Sequence, residues 1–179
     1  QNKLILIDPK GLNFEKYKNA SFLKPNLNEF ELVVGKIKSN RDFKNKAIKL
    51  INKLNLKGLI VTKGKEGITY FDKDKKFFHS PSYANEVFDV TGAGDTILAV
   101  ISLCIFIKMN IADSLKLANL AASFVISKFG TVPINFHALA QRISLIDNKF
   151  KIIQKSDLKF LFKYFKKNNQ KIVMTNGCF

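Results

Sequence analysis

Short unbroken apolar runs alternate along this chain with longer stretches in which apolar residues recur every three or four positions. Leu4 to Ile7 and Gly58 to Thr62 are runs of the first kind. Each gives way at its carboxyl end to a polar or glycine-bearing turn: Asp8-Pro9-Lys10-Gly11 after the first, Lys63-Gly64-Lys65-Glu66-Gly67 after the second. Such runs predict strands buried on both faces, as in a parallel sheet, and residues just past such strands commonly face a ligand crevice. A further run, Phe22 to Lys24, leads into Pro25-Asn26-Leu27-Asn28-Glu29 and a helix carrying Phe30 and Val33. Ser39 and Asp42 have the spacing of a capping box for a helix to about Asn55, with Phe43, Ala47, Leu50, Ile51 and Leu54 on one face. Tyr70, Phe71, Phe77 and Phe78 flank a charged tip, Asp72 to Lys76, and predict a hairpin. Two more helices follow, one from the glycines at 92 and 94 to near Met109, the other from Asp113 to Phe129 with a stop at Gly130. Strands alternating with helices give an α/β fold, a mostly parallel sheet with helices packed on it.

From Ser144 the regular pattern fades into an expected linker, within which Ser156 caps a short helix carrying Leu158, Leu161, Phe162 and Phe165. Lys171 to Met174 reads as another strand, turning at Thr175-Asn176-Gly177. The chain starts without Met and stops straight after that turn, and it reads as cut at both ends. Composition narrows the class. With 179 residues, 46% hydrophobic content and 17 Phe, it can bury a sizeable core. The longest apolar run, Ile97 to Ile107, is about half of the roughly 20 residues a membrane span needs. Cys104 and Cys178 are isolated thiols, which fits a reducing cytoplasm, and His79 and His137 have no neighbouring ligand set. The net charge of +16 raises the possibility of a basic nucleic-acid-binding module. Yet all the basic residues but Arg41 and Arg142 are Lys, scattered through every segment, so the charge reads mainly as solvated surface.

The stretch whose chemistry can be named is Asp89-Val90-Thr91-Gly92-Ala93-Gly94-Asp95-Thr96. Its glycines let the backbone bend so that successive N–H groups point outward at a helix start, where the helix dipole also favours an anion. Asp95 stands at the lip, placed to accept a proton from a hydroxyl attacking a phosphoryl group held there. A plain turn with an N-cap uses the same residues. A Rossmann fingerprint would need glycine at Ile97, and a Walker A loop would need glycine at Leu59 and Ser or Thr at Glu66.

Four segments in order, Asp8 to Gly11, Pro25 to Glu29, Val61 to Gly64 and Val90 to Thr96, resemble the carboxyl-terminal half of a ribokinase-like sugar kinase. The terminal Lys171 to Phe179 resembles the opening strand and turn of a cytidylyltransferase-like nucleotidyltransferase. Together they resemble the family of bifunctional enzymes that join a heptose 7-phosphate kinase to a heptose 1-phosphate adenylyltransferase. The resemblance divides the chain into the kinase half at 1–143, a linker with a short helix at 144–170 and the truncated second domain at 171–179. It implies a ribokinase-like sheet with helices on both faces and transfer of the ATP γ-phosphate to the anomeric hydroxyl of D-glycero-β-D-manno-heptose 7-phosphate. The parent protein would also adenylylate heptose 1-phosphate for ADP-heptose and lipopolysaccharide core synthesis.

In such enzymes the residue matching Asp95 is the base, and Gly92, Ala93 and Gly94 stabilise the phosphoryl group in transit. Asn26, Leu27, Asn28 and Glu29 match an Asn-x-x-Glu element near ATP phosphates and Mg²⁺, with Glu29 acting on the metal indirectly. Thr62, Gly64 and Gly67 match a loop on the nucleotide side, and Lys10 and Asn119 are further candidates near phosphate and adenine. ATP, Mg²⁺ and a monovalent cation are the implied cofactors. The implied setting is a cytoplasmic homo-oligomer with a phosphorylated heptose and ATP as partners and no nucleic acid or membrane. Another ribokinase-like sugar or nucleoside kinase is the alternative in the same class. The sugar-binding amino-terminal half and the His-x-Gly-His element of the second domain are missing, so the fragment itself is not expected to adenylylate and lacks a sugar pocket to align a hydroxyl.

Overall fold

The strand Gly58–Thr62 divides the hydrophobic residues of the fold between two cores. Successive side chains of a strand point to opposite faces, and here Leu59 and Val61 enter one core while Ile60 enters the other. The computed structural model describes residues 3–84 and 89–128, together with single positions or short stretches between 130 and 173. Within them the elements are β1 (Leu6–Ile7), β2 (Phe22–Leu23), α1 (Leu27–Val34), α2 (Asn40–Leu54), β3 (Gly58–Thr62), β4 (Ile68–Asp72), β5 (Phe77–Ser80), α3 (Ala93–Phe106) and α4 (Ile111–Ile126). The five strands lie in sequence order. β1, β2 and β3 are parallel, with Leu6 opposite Phe22 and Phe22 opposite Gly58. β3, β4 and β5 are antiparallel, with Val61 opposite Thr69 and Tyr70 opposite Phe78. The sheet is therefore parallel on the β1 side, and the aromatic hairpin makes it antiparallel on the other.

On one face α1 and α2 cover the sheet. Phe30, Phe43, Ala47, Leu50, Ile51 and Leu54 pack with Leu23, Leu59, Val61 and Phe71. The rings of Phe30 and Phe43, and of Phe43 and Phe71, meet edge to face with centroids 5.5 and 4.8 Å apart, a geometry that adds about 1 kcal/mol per pair to area burial. On the other face Ile97 and Ile101 of α3 and Leu115, Ala118 and Ala122 of α4 pack with Ile60 and Ile68. Helices thus lie on both faces, as the fold class requires.

Helix ends follow local chemistry. Asn26 caps α1 through a reciprocal box with Glu29. Ser39 caps α2, its Oγ accepting from Asp42 N–H, but the Asp42 carboxylate accepts from Lys38 N–H instead of closing the box. α4 starts earlier than the Asp113 expected from sequence because Asn110 is the cap, its Oδ1 accepting from Ala112 N–H. It ends at Ile126, short of the expected Phe129, which lies outside the described residues. α3 ends at Phe106, ahead of the expected Met109, and Lys108 turns the chain with φ +58°. The chain forms two compact units, Gln1–Leu139 and Ala140–Phe179. The helix expected after Ser156 and the strand expected at Lys171 to Met174 fall, single positions apart, outside the described residues. Among the described residues no helix is long and apolar enough to cross a membrane.

Candidate phosphoryl-transfer site

Polar residues converge where the three parallel strands end. β1 delivers Asp8, β2 delivers Lys24, and the Lys24 side chain is only 3% exposed. A lysine seldom sits so deep without a partner. Lys24 Nζ lies 3.3 Å from Asp8 Oδ1, an ion pair whose alignment leaves that buried oxygen without a hydrogen bond. On its other side Nζ faces the glycine turn, since a methyl group added to Gly94 would lie 3.6 Å from it. The first turn of α3 thus opens beside a buried cation. Lys24 was not singled out from sequence.

The glycine turn has the geometry of an anion seat. Gly92 is the N-cap with φ +80°, and it brings no side chain to cap α3. Ala93 N–H makes a long 3.3 Å bond to Val90 C=O, and the first regular bond of the helix runs from Thr96 N–H to Gly92 C=O. The N–H groups of Gly94 and Asp95 are left without a protein acceptor among the described residues. Asp95 itself is exposed in that first turn. Asp89 holds the approach to the turn. Its carboxylate accepts from Thr91 N–H at 2.8 Å and from Gly130 N–H at 3.2 Å, and the Thr91 side chain, Thr91 N–H and Gly130 N–H together keep its pKa below the usual value.

Asn26 and Glu29 form the second part of the rim. Asn26 Oδ1 accepts from Glu29 N–H and Glu29 Oε2 accepts from Asn26 N–H, each at 2.8 Å. The remaining Glu29 oxygen accepts from Lys10 Nζ at 3.0 Å, and Lys10 also lies 3.5 Å from Asp8. The hydrogen bond to Glu29, ahead of the Asp8 charge, raises the Lys10 pKa. Asp8, Lys10, Lys24 and Glu29 are therefore one chain of charges joining β1, β2 and α1. Asn28 is exposed on the first turn of α1, whereas the Leu27 side chain packs against the first core and has only its backbone to offer a ligand.

Thr62 ends β3 beside this rim, bridged to Asn26, with its N–H on Pro25 C=O at 3.1 Å. The following turn is closed by Lys63 N–H on Gly67 C=O and Gly67 N–H on Gly64 C=O. Gly64 is exposed, but Gly67 is buried with φ +94°, and a Cβ there would lie 2.1 Å from Ser80 C=O. Gly67 is thus needed for a crossing of backbones. Asn119 is likewise engaged, its Nδ2 donating to Ser80 C=O, Ser80 Oγ and Pro81 C=O at 2.8 to 3.0 Å, so it fastens α4 to the end of β5.

No group of three or more His, Cys, Asp or Glu among the described residues is arranged to hold a metal ion by itself. Asp8 and Glu29 are both already paired with lysines. They fit an ion that arrives on a polyphosphate and keeps its waters, the usual habit of Mg²⁺, rather than a dedicated cage.

The sheet is thus covered on both faces, with the open amides of α3 and the buried Lys24 at the ends of its parallel strands. The pfkB carbohydrate kinase family matches residues 1–136, and the chain belongs to that family. Among its relatives is the bifunctional protein HldE of Vibrio vulnificus (strain YJ016), 42% identical over 99% of this chain and 38% of the relative. The bifunctional protein HldE of Haemophilus influenzae (strain ATCC 51907 / DSM 11121 / KW20 / Rd) is 40% identical, with the same coverage. The chain therefore spans well under half the length of the curated relatives it matches. Among solved structures, an Arabidopsis thaliana ribokinase complexed with ribose and ATP superposes with a TM-score of 0.71 at 22% identity, over 78% of this chain and 47% of that one. Escherichia coli phosphofructokinase-2, complexed with substrates and products, gives 0.71 at 17% identity, over 79% and 47%. These likenesses establish a ribokinase-like fold.

Proposed function

We propose that this chain is the ATP-side portion of a kinase that phosphorylates D-glycero-β-D-manno-heptose 7-phosphate at its anomeric hydroxyl, within a bifunctional enzyme that also adenylylates heptose 1-phosphate. Identity of about 40% to bifunctional relatives along nearly the whole chain supports the substrate class. The observation that carries the chemistry is the Lys24 ammonium lying against Gly94, beside the open amides of α3. A γ-phosphate seated there meets the Gly94 and Asp95 N–H groups, the positive end of the α3 dipole and the Lys24 charge together. Such fixed donors stabilise charge on a phosphoryl group in flight without reorganising. Asp95, in the same turn, accepts the proton of the attacking hydroxyl as the O–P bond forms and ADP leaves. Asp8 and Glu29 are the carboxylates that would hold a Mg²⁺ ion arriving with ATP, which would supply charge neutralisation at the phosphates.

Thr62 and Gly64 flank the nucleotide, Gly67 shapes their turn, and Asn26 and Asn28 present polar atoms at the edge of the phosphates. On this reading residues 1–143 are kinase, 144–170 linker and 171–179 the start of the nucleotidyltransferase, acting in the cytoplasm where ATP is made. In the full-length parent, Asp95→Asn lowers turnover by about a hundredfold to ten-thousandfold while calorimetric ATP affinity is retained. Unchanged turnover removes Asp95 from the mechanism. Turnover with fructose 6-phosphate or ribose exceeding that with heptose 7-phosphate replaces the substrate.

A further inference from the structure

Four charged groups alternate in sign across the strand ends, and one of them is held differently from the rest. Asp8 gives one carboxylate oxygen, Oδ1, to the buried Lys24 ammonium at 3.3 Å. Glu29 gives Oε2 to Asn26 N–H at 2.8 Å, the bond that closes the cap of α1. One oxygen of each acid is therefore committed to the fold. The other two, Asp8 Oδ2 and Glu29 Oε1, converge on a single ammonium, Lys10 Nζ, at 3.5 and 3.0 Å.

Lys10 has a fixed backbone and a loose head. Its N–H donates to the Tyr17 hydroxyl at 3.0 Å, and its C=O accepts from the same hydroxyl at 3.3 Å. Its side chain is 69% exposed, against 19% for each acid and 3% for Lys24. Among the described residues the Lys10 ammonium hydrogen-bonds and ion-pairs only with the two carboxylates. An exposed lysine pair contributes little to stability, and the flexible stem lets the head move while the backbone stays. Lys24, enclosed between Asp8 and Gly94, has no such freedom. Of the two cations on Asp8, one belongs to the fold and the other can be exchanged.

We propose that Lys10 is a placeholder cation: its ammonium stands between Asp8 Oδ2 and Glu29 Oε1 until a nucleotide brings a divalent ion to those oxygens, and then moves to the polyphosphate. The identity of that ligand rests on the kinase reading above. Two carboxylates that face one point repel each other unless a cation stands between them. With Lys10 in place both are already neutralised, so a free Mg²⁺ ion, which dehydrates reluctantly, gains little by displacing it. The phosphates of ATP change this balance, because they offer Lys10 a new anion beside Lys24 and the α3 amides. Lys10 thereby couples metal to nucleotide and keeps the metal from settling without it, a coupling that is reciprocal.

The test is Mn²⁺ binding to the full-length parent without nucleotide, read by electron paramagnetic resonance of the free ion. Lys10→Met should gain an Mn²⁺ site about tenfold or more tighter than the unsubstituted protein offers, the ordinary size of such a coupling. Adding Glu29→Gln should abolish the gain, which assigns the new ion to the two carboxylates. Lys10→Arg keeps the charge and should bind Mn²⁺ as the unsubstituted protein does. Circular dichroism checks each fold, and Lys10→Gln takes the place of Lys10→Met if the latter does not fold. Equal Mn²⁺ binding by the folded neutral variant and the unsubstituted protein overturns the proposal, as does a gain that survives Glu29→Gln. Phosphorylation of heptose 7-phosphate by the unsubstituted parent is assayed separately. Turnover without a metal gain in the neutral variant sinks the placeholder and leaves the kinase reading standing. A metal gain without phosphorylation of any sugar overturns the kinase reading but upholds Lys10 as the cation that Mn²⁺ replaces.

Discussion

Replacing Lys24 with Met separates the two roles its position suggests, holding Asp8 in the fold and holding phosphate. Met fills the same space without charge and leaves the Asp8 carboxylate facing Lys10 alone, at 3.5 Å. Breaking a fully buried ion pair costs ~3–5 kcal/mol, but Asp8 is 19% exposed and keeps one cation, so the loss of stability should be about 1–3 kcal/mol. For ATP, two unit charges 4 Å apart at an effective dielectric of 20 attract by about 4 kcal/mol. Asp8 offsets part of the lysine's field, which leaves about 2 kcal/mol, or roughly a thirtyfold weaker complex. Urea unfolding monitored by circular dichroism reads the first effect and calorimetry with MgATP the second. Adding Asp8→Asn should restore most of the stability, because no lone carboxylate remains, but not the affinity. If the double variant binds ATP as well as the unsubstituted protein, Lys24 serves only to neutralise Asp8. If Lys24→Met alone binds normally, the phosphate seat does not include it.

Gly67→Ala should lose at least 2 kcal/mol in urea unfolding, because φ +94° is strained for any side chain and the added Cβ would collide with Ser80 C=O. Wild-type stability in that variant would contradict the backbone crossing. Asn119→Ala strips three hydrogen bonds from Ser80 and Pro81 and should cost about 1–3 kcal/mol, with ATP affinity falling less than threefold; a selective loss of ATP binding would instead put Asn119 at the adenine. Asp89 is held below its ordinary value of 3.8 by Thr91 and Gly130. A depressed carboxyl contributes stability above that ordinary value and loses it as pH falls through the folded one. The gap in stability between wild type and Asp89→Ala should therefore be full at neutral pH and close below about pH 4, and a gap that persists at pH 2 would show the carboxylate charge to be irrelevant.

The elements with strong periodicity could be read from sequence because burial alone sets their pattern. Phe43, Ala47, Leu50, Ile51 and Leu54 were expected on one face of α2 and are all buried there, and β3 occupies the expected five residues, Gly58–Thr62. Boundaries set by a single side chain were harder. Asp113 looked like the natural start of α4, but Asn110, whose short amide reaches Ala112 N–H, took the cap. β1 shrank from Leu4–Ile7 to Leu6–Ile7 because β2 offers only two partners. At the rim, Gly92, Gly94 and Asp95 were visible because they adjoin in sequence. The Asp8–Lys24 pair was not, since the fifteen positions between its members say nothing of their approach, and a lysine after Phe22-Leu23 looks like any other strand end.

That one five-residue strand feeds both hydrophobic interiors limits how the gene can drift. Loss or gain of a codon between Gly58 and Thr62 would reverse the alternation and send Leu59, Ile60 and Val61 each to the wrong side at once, with no compensating change available on one face only. The charged tip at Asp72 to Lys76 touches neither interior. Length variation among descendants of this sequence should therefore accumulate at the tip and be rare in the strand, and the tip is the place to carry a tag or label.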